Sequence, residues 1–446
     1  MSGRRRRVAV CGGGVAGVAA AVEASGLGAE VTLIERRPFL GGKAYSFTER
    51  GGHEIDNGQH VYLGCCPAYI GLLQTLGTLG HTTLQPRLHA PVRDRAGRHG
   101  ALSAGHGPAP LHLAASFARY PFLSPAEKAG AVRALAELAA LPARRRDALD
   151  DITFADWLER RGQSGNAVAA FWDLIVLPTC NDRSDRVSAA LASFVFQEGF
   201  LRRAGASAIG YSRVGLTHLL DPAARRLLGR RGGRVLSGRA AAEAGPGGVW
   251  LDDGERIEAD AVVLALPAHR AAAVSPVALP EPPDLGASPI VNVHVWFDRP
   301  VMDEVMTAVV DSPAQWVFNR TAIAGTGRPG QQLAVSISGA HDEITVDRHA
   351  LGDRIVAELR ELFPEARNAE VTNVAVVKEA EATFAASPGQ AARRPGPHTP
   401  LPEVALAGAW TATGWPATME GAARSGMRAA RLVMGQAVPA AVGRFD

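Results

Sequence analysis

Val8-Ala9-Val10-Cys11-Gly12-Gly13-Gly14-Val15-Ala16-Gly17, close to the start of the chain, joins an apolar run to a spaced set of glycines. Arg7 to Cys11 reads as a buried strand. It breaks into Gly12-x-Gly14-x-x-Gly17 ahead of an alanine-rich helix running to about Ser25. A second apolar run, Glu30 to Ile34, ends in Glu35, about 20 residues past the glycines. Gly12 permits the tight turn, Gly14 lets the backbone approach a pyrophosphate, and Gly17 lets helix and strand pack closely. The helix amino terminus, with Val15 and Ala16 in its first turn, offers free N–H groups and the positive end of a dipole to phosphates. Glu35 is placed to accept hydrogen bonds from the ribose hydroxyls of an adenosine. A glycine-rich loop in an ordinary βαβ unit needs no such acid, so the whole set points to a bound dinucleotide.

Arg4 to Arg7 followed by small apolar residues imitates a secretory signal. Three consecutive glycines interrupt its apolar part, and Glu23 and Glu30 follow without a clean cleavage site, so secretion is rejected. The four cysteines, Cys11, Cys65, Cys66 and Cys180, make no CxxC pair and no metal spacing; they fit buried thiols in a reduced, cytoplasmic setting. No stretch of about 18 apolar residues lacks a charge or a helix breaker, which excludes a transmembrane helix. Apolar residues make up 47% of the chain and charged ones 20%, which excludes wholesale disorder. The net charge is only +3, and the arginines are interleaved with acids, so no nucleic-acid surface is expected.

At 446 residues the chain is too long for one small core. Arg36 to Ala44, with Gly41, Gly42 and Lys43, reads as a second loop able to cover a diphosphate. Gly51 to Val61 packs polar residues beside it, and Asp56 and His60 are its candidates for proton transfer. Residues 84–107 read as basic hairpins or loops and 111–162 as helical, with Ser124-Pro125-Ala126-Glu127 a strong helix start. The richest aromatic stretches are 171–178 and 194–200. Gly232 to Leu236 reads as a strand, 248–257 as a hairpin with an Asp-Gly turn, and Asp260 to Pro267 as a buried parallel strand. Strands at 291–297, 315–319, 333–338 and 371–378, with a helix at 347–363, predict a separate antiparallel sheet. Ala391 to Leu401 reads as a return linker. The last stretch runs from a strand ending at Gly408, through a polar loop, to a helix starting near Pro416.

The fold class is therefore α/β: a Rossmann-type domain assembled from discontinuous segments 1–83, 205–285 and 401–446, plus a substrate domain. Residues 84–204 supply that second domain's helices and 286–400 its antiparallel sheet.

Three of these stretches together resemble the flavin-dependent amine-oxidase and phytoene-desaturase superfamily. The first unit is similar to its FAD-adenosine motif, and Leu40-Gly41-Gly42-Lys43 to its Gly-Gly-Arg element, with lysine for arginine. Ala407-Gly408 and Ala417-Thr418-Met419-Glu420-Gly421-Ala422 resemble its C-terminal flavin motif; Ala409 stands where many relatives carry a carboxylate. The resemblance implies FAD as cofactor, with Gly58, Gln59, His60, Val235, Gly408, Ala409, Trp415, Ala417, Thr418 and Met419 joining the N-terminal residues in holding it. Asp56-Asn57-Gly58-Gln59-His60 and the run from Trp410 to Ala422 look most like the squalene-associated branch, the hydroxysqualene dehydroxylases. That implies a C30 isoprenoid lipid met at or near the inner membrane surface, in an apolar tunnel for which Phe171, Trp172, Phe194, Phe196 and Phe200 are plausible lining. It also implies hydride delivery from reduced flavin to an allylic carbon as a hydroxyl departs, with His60, Asp56 or Glu420 as general acid. An electron donor is required and is not identified; no metal is expected. A carotenoid desaturase, an amine oxidase and a non-catalytic prenyl-lipid escort are the competing readings. For membrane contact the sequence offers Arg4–Arg7 and the apolar helix around Phe117 to Leu123, the basic run otherwise reading as a disordered tail.

Overall fold

Strand Arg7–Cys11, helix Val15–Gly26 and strand Glu30–Glu35 follow one another, the two strands pairing in parallel with Val10 opposite Leu33. The structure, a computed structural model, describes residues 4–325 and 329–437; residues 438–446 of the last expected segment lie outside them. Three distant stretches complete a five-stranded parallel sheet, in the order Arg234–Ser237, Glu30–Glu35, Arg7–Cys11, Ala261–Leu264, Val404–Leu406. Alternation divides its residues between two cores. Val8, Val10, Val31 and Leu33 face the helices. Ala9, Cys11, Ile34, Val262 and Leu264 pack on a three-stranded antiparallel meander, 241–258, that covers the other face. The expected Asp-Gly turn lies within this meander, with Gly254 at φ +87°.

On the helical face, Val15–Gly26 packs against Met419–Val433. The crossing is close because Gly426 has no side chain: a Cβ there would overlap the Ala16 carbonyl oxygen. Arg431 and Glu23 pair across the same contact at 2.6 Å. The basic run at the start is not a free tail. Arg5 donates to the carbonyls of Gly28, Ala29 and Arg231, while Arg7 pairs with Glu258 and Asp260 and Arg4 with Asp260. The charges of Arg4, Arg5 and Arg7 are spent binding the amino end of the sheet.

The second sheet has seven strands, in the order Val371–Thr383, Ser288–Phe297, Gln331–Ser338, Trp316–Asn319, Met306–Val309, His89–Arg93, His99–Ser103. It is larger than expected and not wholly antiparallel. Met306–Val309 runs parallel to His89–Arg93, because the hairpin from the basic segment extends the sheet's edge. Val291, Val293, Val295 and Phe297 turn one face onto Leu351, Ile355 and Leu359 of helix Arg348–Leu362. Asn292, His294 and Trp296 therefore lie on the opposite face.

The helical region carries real capping boxes at Ser124/Glu127 and Thr153/Asp156. Its aromatics are core: Trp172 meets Phe171 and Phe196 edge-on at 5.0 Å each, and Phe154 joins them. Phe171, Trp172, Phe194, Phe196 and Phe200 are all buried, and Phe194 reaches the C-terminal loop, its ring 5.2 Å from Trp415. Two π-helical turns, Val168–Trp172 and Gln197–Leu201, frame this cluster.

The glycine crossing makes a simple test. Gly426→Val is expected to lower the urea unfolding free energy by about 1–3 kcal/mol, since the backbone cannot yield without separating the helices. An unchanged unfolding midpoint would show that the helices do not meet this closely.

Candidate active site

The carboxyl ends of the parallel strands open onto two glycine loops that touch. Gly12 adopts φ +104°, and a Cβ on Gly17 would overlap the Gly12 carbonyl oxygen, so turn and helix close only with glycine at both positions. Gly14 bridges to Gly41, and a Cβ on Gly42 would lie 2.8 Å from the Gly14 Cα. Gly14 caps the helix without a side-chain bond, and the first intrahelical bond runs from the Val18 N–H to Gly14. The preceding amides, those of Val15 and Ala16 included, are the helix's unspent donors. Glu35 is buried and accepts the N–H groups of Gly13 at 2.6 Å and Arg37 at 2.8 Å. That leaves lone pairs on both of its oxygens for ribose hydroxyls. Val235 lies opposite Leu33 on the edge strand, while Ser237, two residues on, stands opposite Glu35. A cradle of side-chain-free backbone, an unspent helix start and an acid fits a dinucleotide. Lys43 is occupied elsewhere: its ammonium is held by the carbonyls of Glu381 and Ala382, and burial lowers its pKa.

The C-terminal loop is organised by a residue that sequence reading missed. Arg394 is buried and donates to the carbonyls of Ala409 (2.9 Å), Thr411 (2.6 Å) and Trp415 (2.9 Å), to that of Trp410 (3.4 Å), and to the Thr413 hydroxyl (3.2 Å). Burial pulls its pKa down to about 10, opposed by the charge of Asp150. Composition placed this arginine in a linker; an arginine just ahead of a strand-and-loop motif was the available signal. Gly408, at φ +144°, is pressed against the Trp410 indole and donates its N–H to the Ser425 hydroxyl. Thr418 caps helix Met419–Val433 by accepting the Gly421 N–H, so the amides of Met419 and its neighbours point out of the helix start, beside Ala417.

Glu420 belongs to this helix but serves another. It is 1% exposed and accepts the N–H groups of Ala68 (3.2 Å) and Tyr69 (2.8 Å), capping helix Pro67–Leu76. It also pairs with Arg424 at 2.6 Å, whose guanidinium lies 5.0 Å from the Trp415 ring centre. Burial raises its pKa, and Arg424 and the two amides oppose the rise.

Asp56, Gln59 and His60 come together beneath the polar face of the seven-stranded sheet. Asp56 is buried, accepts the Ser46 hydroxyl (2.7 Å) and the Leu216 N–H (3.0 Å), and pairs with Arg320 at 3.5 Å. Arg320 also reaches the Ser212 carbonyl at 3.2 Å and Gln59 at 3.5 Å. Gln59 donates its N–H to the Asn292 side chain, and Gly58 lies so close that a Cβ would stand 2.8 Å from the Asn292 amide. His60 sets Nδ1 2.8 Å from the Gly58 carbonyl; a carbonyl only accepts, so Nδ1 carries the proton. Asn292 and His294 were not singled out from sequence, although polar residues at alternate positions of an apolar strand were the mark of a second face.

His294 is wholly buried. Burial pulls its pKa down to about 4, against the pull of Asp56 and with the push of Arg320. The folded protein thus holds this ring neutral where the unfolded chain protonates it near 6.5. Between those values the unfolded state binds more protons, so stability falls as pH drops from 6.5 towards 4, by up to about 3 kcal/mol. His294→Gln is expected to flatten that part of the stability–pH curve, read by urea unfolding in steps of pH. An identical slope in the variant would remove His294 as the source.

Among the described residues no helix is long and apolar enough to cross a membrane, and no cluster of side chains is suited to a metal ion. The description of the flavin containing amine oxidoreductases matches residues 15–434. A hydroxysqualene dehydroxylase of Rhodopseudomonas palustris is 31% identical, over 96% of this chain and 98% of its own length. A zeta-carotene desaturase of Zea mays is 26% identical, over 97% and 84%. An oxidoreductase from Methanosarcina mazei shares the fold, with a TM-score of 0.73 at 18% identity over 94% of this chain and 99% of that one. Glycine cradle, acid and capped C-terminal loop thus meet a match along nearly the whole chain, and the protein belongs to the flavin containing amine oxidoreductase family.

Proposed function

We propose that this protein is an FAD-dependent oxidoreductase that converts hydroxysqualene to squalene. The observation that carries the reading is the full-length similarity to the Rhodopseudomonas palustris hydroxysqualene dehydroxylase. FAD, rather than a mononucleotide, is favoured by the glycine cradle and by Glu35, whose remaining lone pairs are placed for an adenosine ribose. The division of the chain into a flavin domain of segments 1–83, 205–285 and 401–446, with the rest enclosing substrate, belongs to the same proposal.

The reaction replaces C–OH by C–H and releases water, so it consumes a hydride and a proton. Reduced flavin, when bound, supplies the hydride at the allylic carbon; an external donor must first reduce it. The protein's own task is to bring a proton to the leaving oxygen and to keep water away from the carbon it leaves. Of the three candidate acids, Asp56 is tied to Arg320, Ser46 and Leu216, and Glu420 to two amides and Arg424. Both carboxylates are thus committed to holding neighbouring segments of the fold. His60 is the general acid in this reading: with Nδ1–H committed to Gly58, a second proton on Nε2 is the one its ring can hand over. The Phe194–Trp415 contact supports an apolar, dry wall beside the flavin loop.

Similarity to the Zea mays desaturase favours a second reading, in which oxidised flavin accepts hydride from a polyene. Anaerobic incubation of the reduced, flavin-loaded protein with hydroxysqualene separates the two: squalene together with oxidised flavin supports dehydroxylation. No squalene, with flavin bleached when phytoene or zeta-carotene is offered to the oxidised protein, would replace it by desaturation. His60→Ala is expected to keep bound FAD and lose at least a hundredfold in dehydroxylation; unchanged turnover would clear His60 of the role. Arg394→Met is expected to weaken FAD binding at least tenfold, measured by flavin fluorescence on dilution, since it leaves the carbonyls of the 409–415 loop unpaired. Wild-type affinity in that variant would show that the loop holds its shape without the arginine.

A further inference from the structure

Between Asp56 and Glu127 the chain carries five arginines and six histidines but a single acid, Asp94. That acid is spent on Arg98 at 2.6 Å, while Arg93 and Arg95 pair with Glu304 and Glu358 from elsewhere in the fold. Arg87 and Arg119 are exposed and have no acid partner among the described residues. They flank one surface. Arg87 meets the His106 ring at 3.0 Å, which brings the 84–87 turn beside the 105–111 loop. The Gly105 N–H donates to the His112 carbonyl, and Ser116 is bonded to Ser103, so the short helix Ala114–Arg119 is fixed against the same hairpin.

The apolar pattern of that helix is doubled. Ser116 and Phe117 point inward, yet the outward positions Ala114, Ala115 and Ala118 are also apolar. Leu111, at the helix start, is 69% exposed, the highest value of any large apolar side chain among the described residues, and Leu84 beside Arg87 is 41% exposed. A protruding leucine, a smooth alanine face and a rim of unpaired arginines without an acid suit an anionic lipid surface. The leucines enter the headgroup layer, the alanines offer no relief for a protein partner to grip, and the guanidiniums meet phosphates. Behind the surface, Phe117 lies 5.0 Å from Phe171, so the face is seated directly on the aromatic core.

We propose that the face formed by Leu84, Arg87, His106, Leu111 and helix Ala114–Arg119 docks the protein on anionic phospholipid bilayers. This rests on the lipid-substrate reading above and names the surface that reading requires. In the Arg4–Arg7 run, the side chains of Arg4, Arg5 and Arg7 take no part, being bound at the amino end of the parallel sheet.

The test uses flavin-loaded full-length protein and sedimentation with vesicles of phosphatidylcholine alone or mixed with phosphatidylglycerol. Binding at least tenfold tighter to the anionic vesicles, weakened by salt, is expected. Leu111→Asp and the double variant Arg87→Glu, Arg119→Glu are each expected to lose at least tenfold of it, while turnover of detergent-dispersed hydroxysqualene stays at the wild-type level. Variants that bind as wild type does, or a wild type that binds neither vesicle, would overturn the docking face. So would a self-association of the wild type, seen by analytical ultracentrifugation, that Leu111→Asp abolishes, since a second copy would then be the occupant. Detergent turnover reads the substrate assignment separately: its absence in wild type with vesicle binding intact would sink the dehydroxylase reading and leave the docking face standing.

Discussion

Backbone must meet backbone at the carboxyl end of the parallel sheet, and nearly everything else in the molecule follows from that. Gly17 lies on the Gly12 carbonyl, Gly42 on the Gly14 Cα, and Gly426 on the Ala16 carbonyl. None of the three contacts has room for a methyl group. The first seats the helix on its turn, the second brings the two glycine loops together, and the third draws the C-terminal helix against the N-terminal one. Together they bring segments some 400 residues apart in sequence, the N-terminal glycine loops and the start of the last helix, into one neighbourhood. The cost of so many small residues is lost apolar burial, offset by the alanine-rich helix and by the meander on the opposite face.

Beside its surface ion pairs, the fold uses buried charges with many partners to join segments. Arg394 places a guanidinium under the C-terminal loop and satisfies acceptors on residues 409–415, a loop that has little regular structure of its own. Asp150 anchors the approach to that arginine by accepting the Ala391 N–H and the Ser188 hydroxyl. The flavin loop, the helical region and the chain returning from the seven-stranded sheet therefore share one polar joint. Glu420 makes a second: an acid in the first turn of the last helix caps helix Pro67–Leu76, and the position of the last helix's start is set from two sides.

The comparison of Asp56, His60 and Glu420 shows how residue type alone misleads about roles. All three are titratable and close to cofactor motifs in sequence, and each is an eligible acid by composition. The fold distributes them differently. Asp56 fixes the start of helix Leu216–Arg230 and holds Arg320, Glu420 caps a helix, and only His60 keeps a ring nitrogen unspent by the contacts described. A capping role depends on which helix happens to end beside the carboxylate, and no local pattern records that.

Local rules were enough for the βαβ unit, the second glycine loop, the capping boxes and the C-terminal strand–loop–helix. Each depends on neighbours within a few residues: φ signs that only glycine tolerates, side-chain caps three residues away, or apolar alternation along a strand. The same rules separated a parallel, nucleotide-side sheet from a second sheet. Tertiary structure decided the rest. It added the 89–103 hairpin and Met306–Val309 to the second sheet, bound the N-terminal arginines to the parallel one, and turned an arginine in a proline-rich stretch into the centre of the flavin loop. Those outcomes rest on contacts between residues tens to hundreds apart, where the energy comes from desolvation and from the meeting of donors and acceptors that a linear pattern cannot bring together.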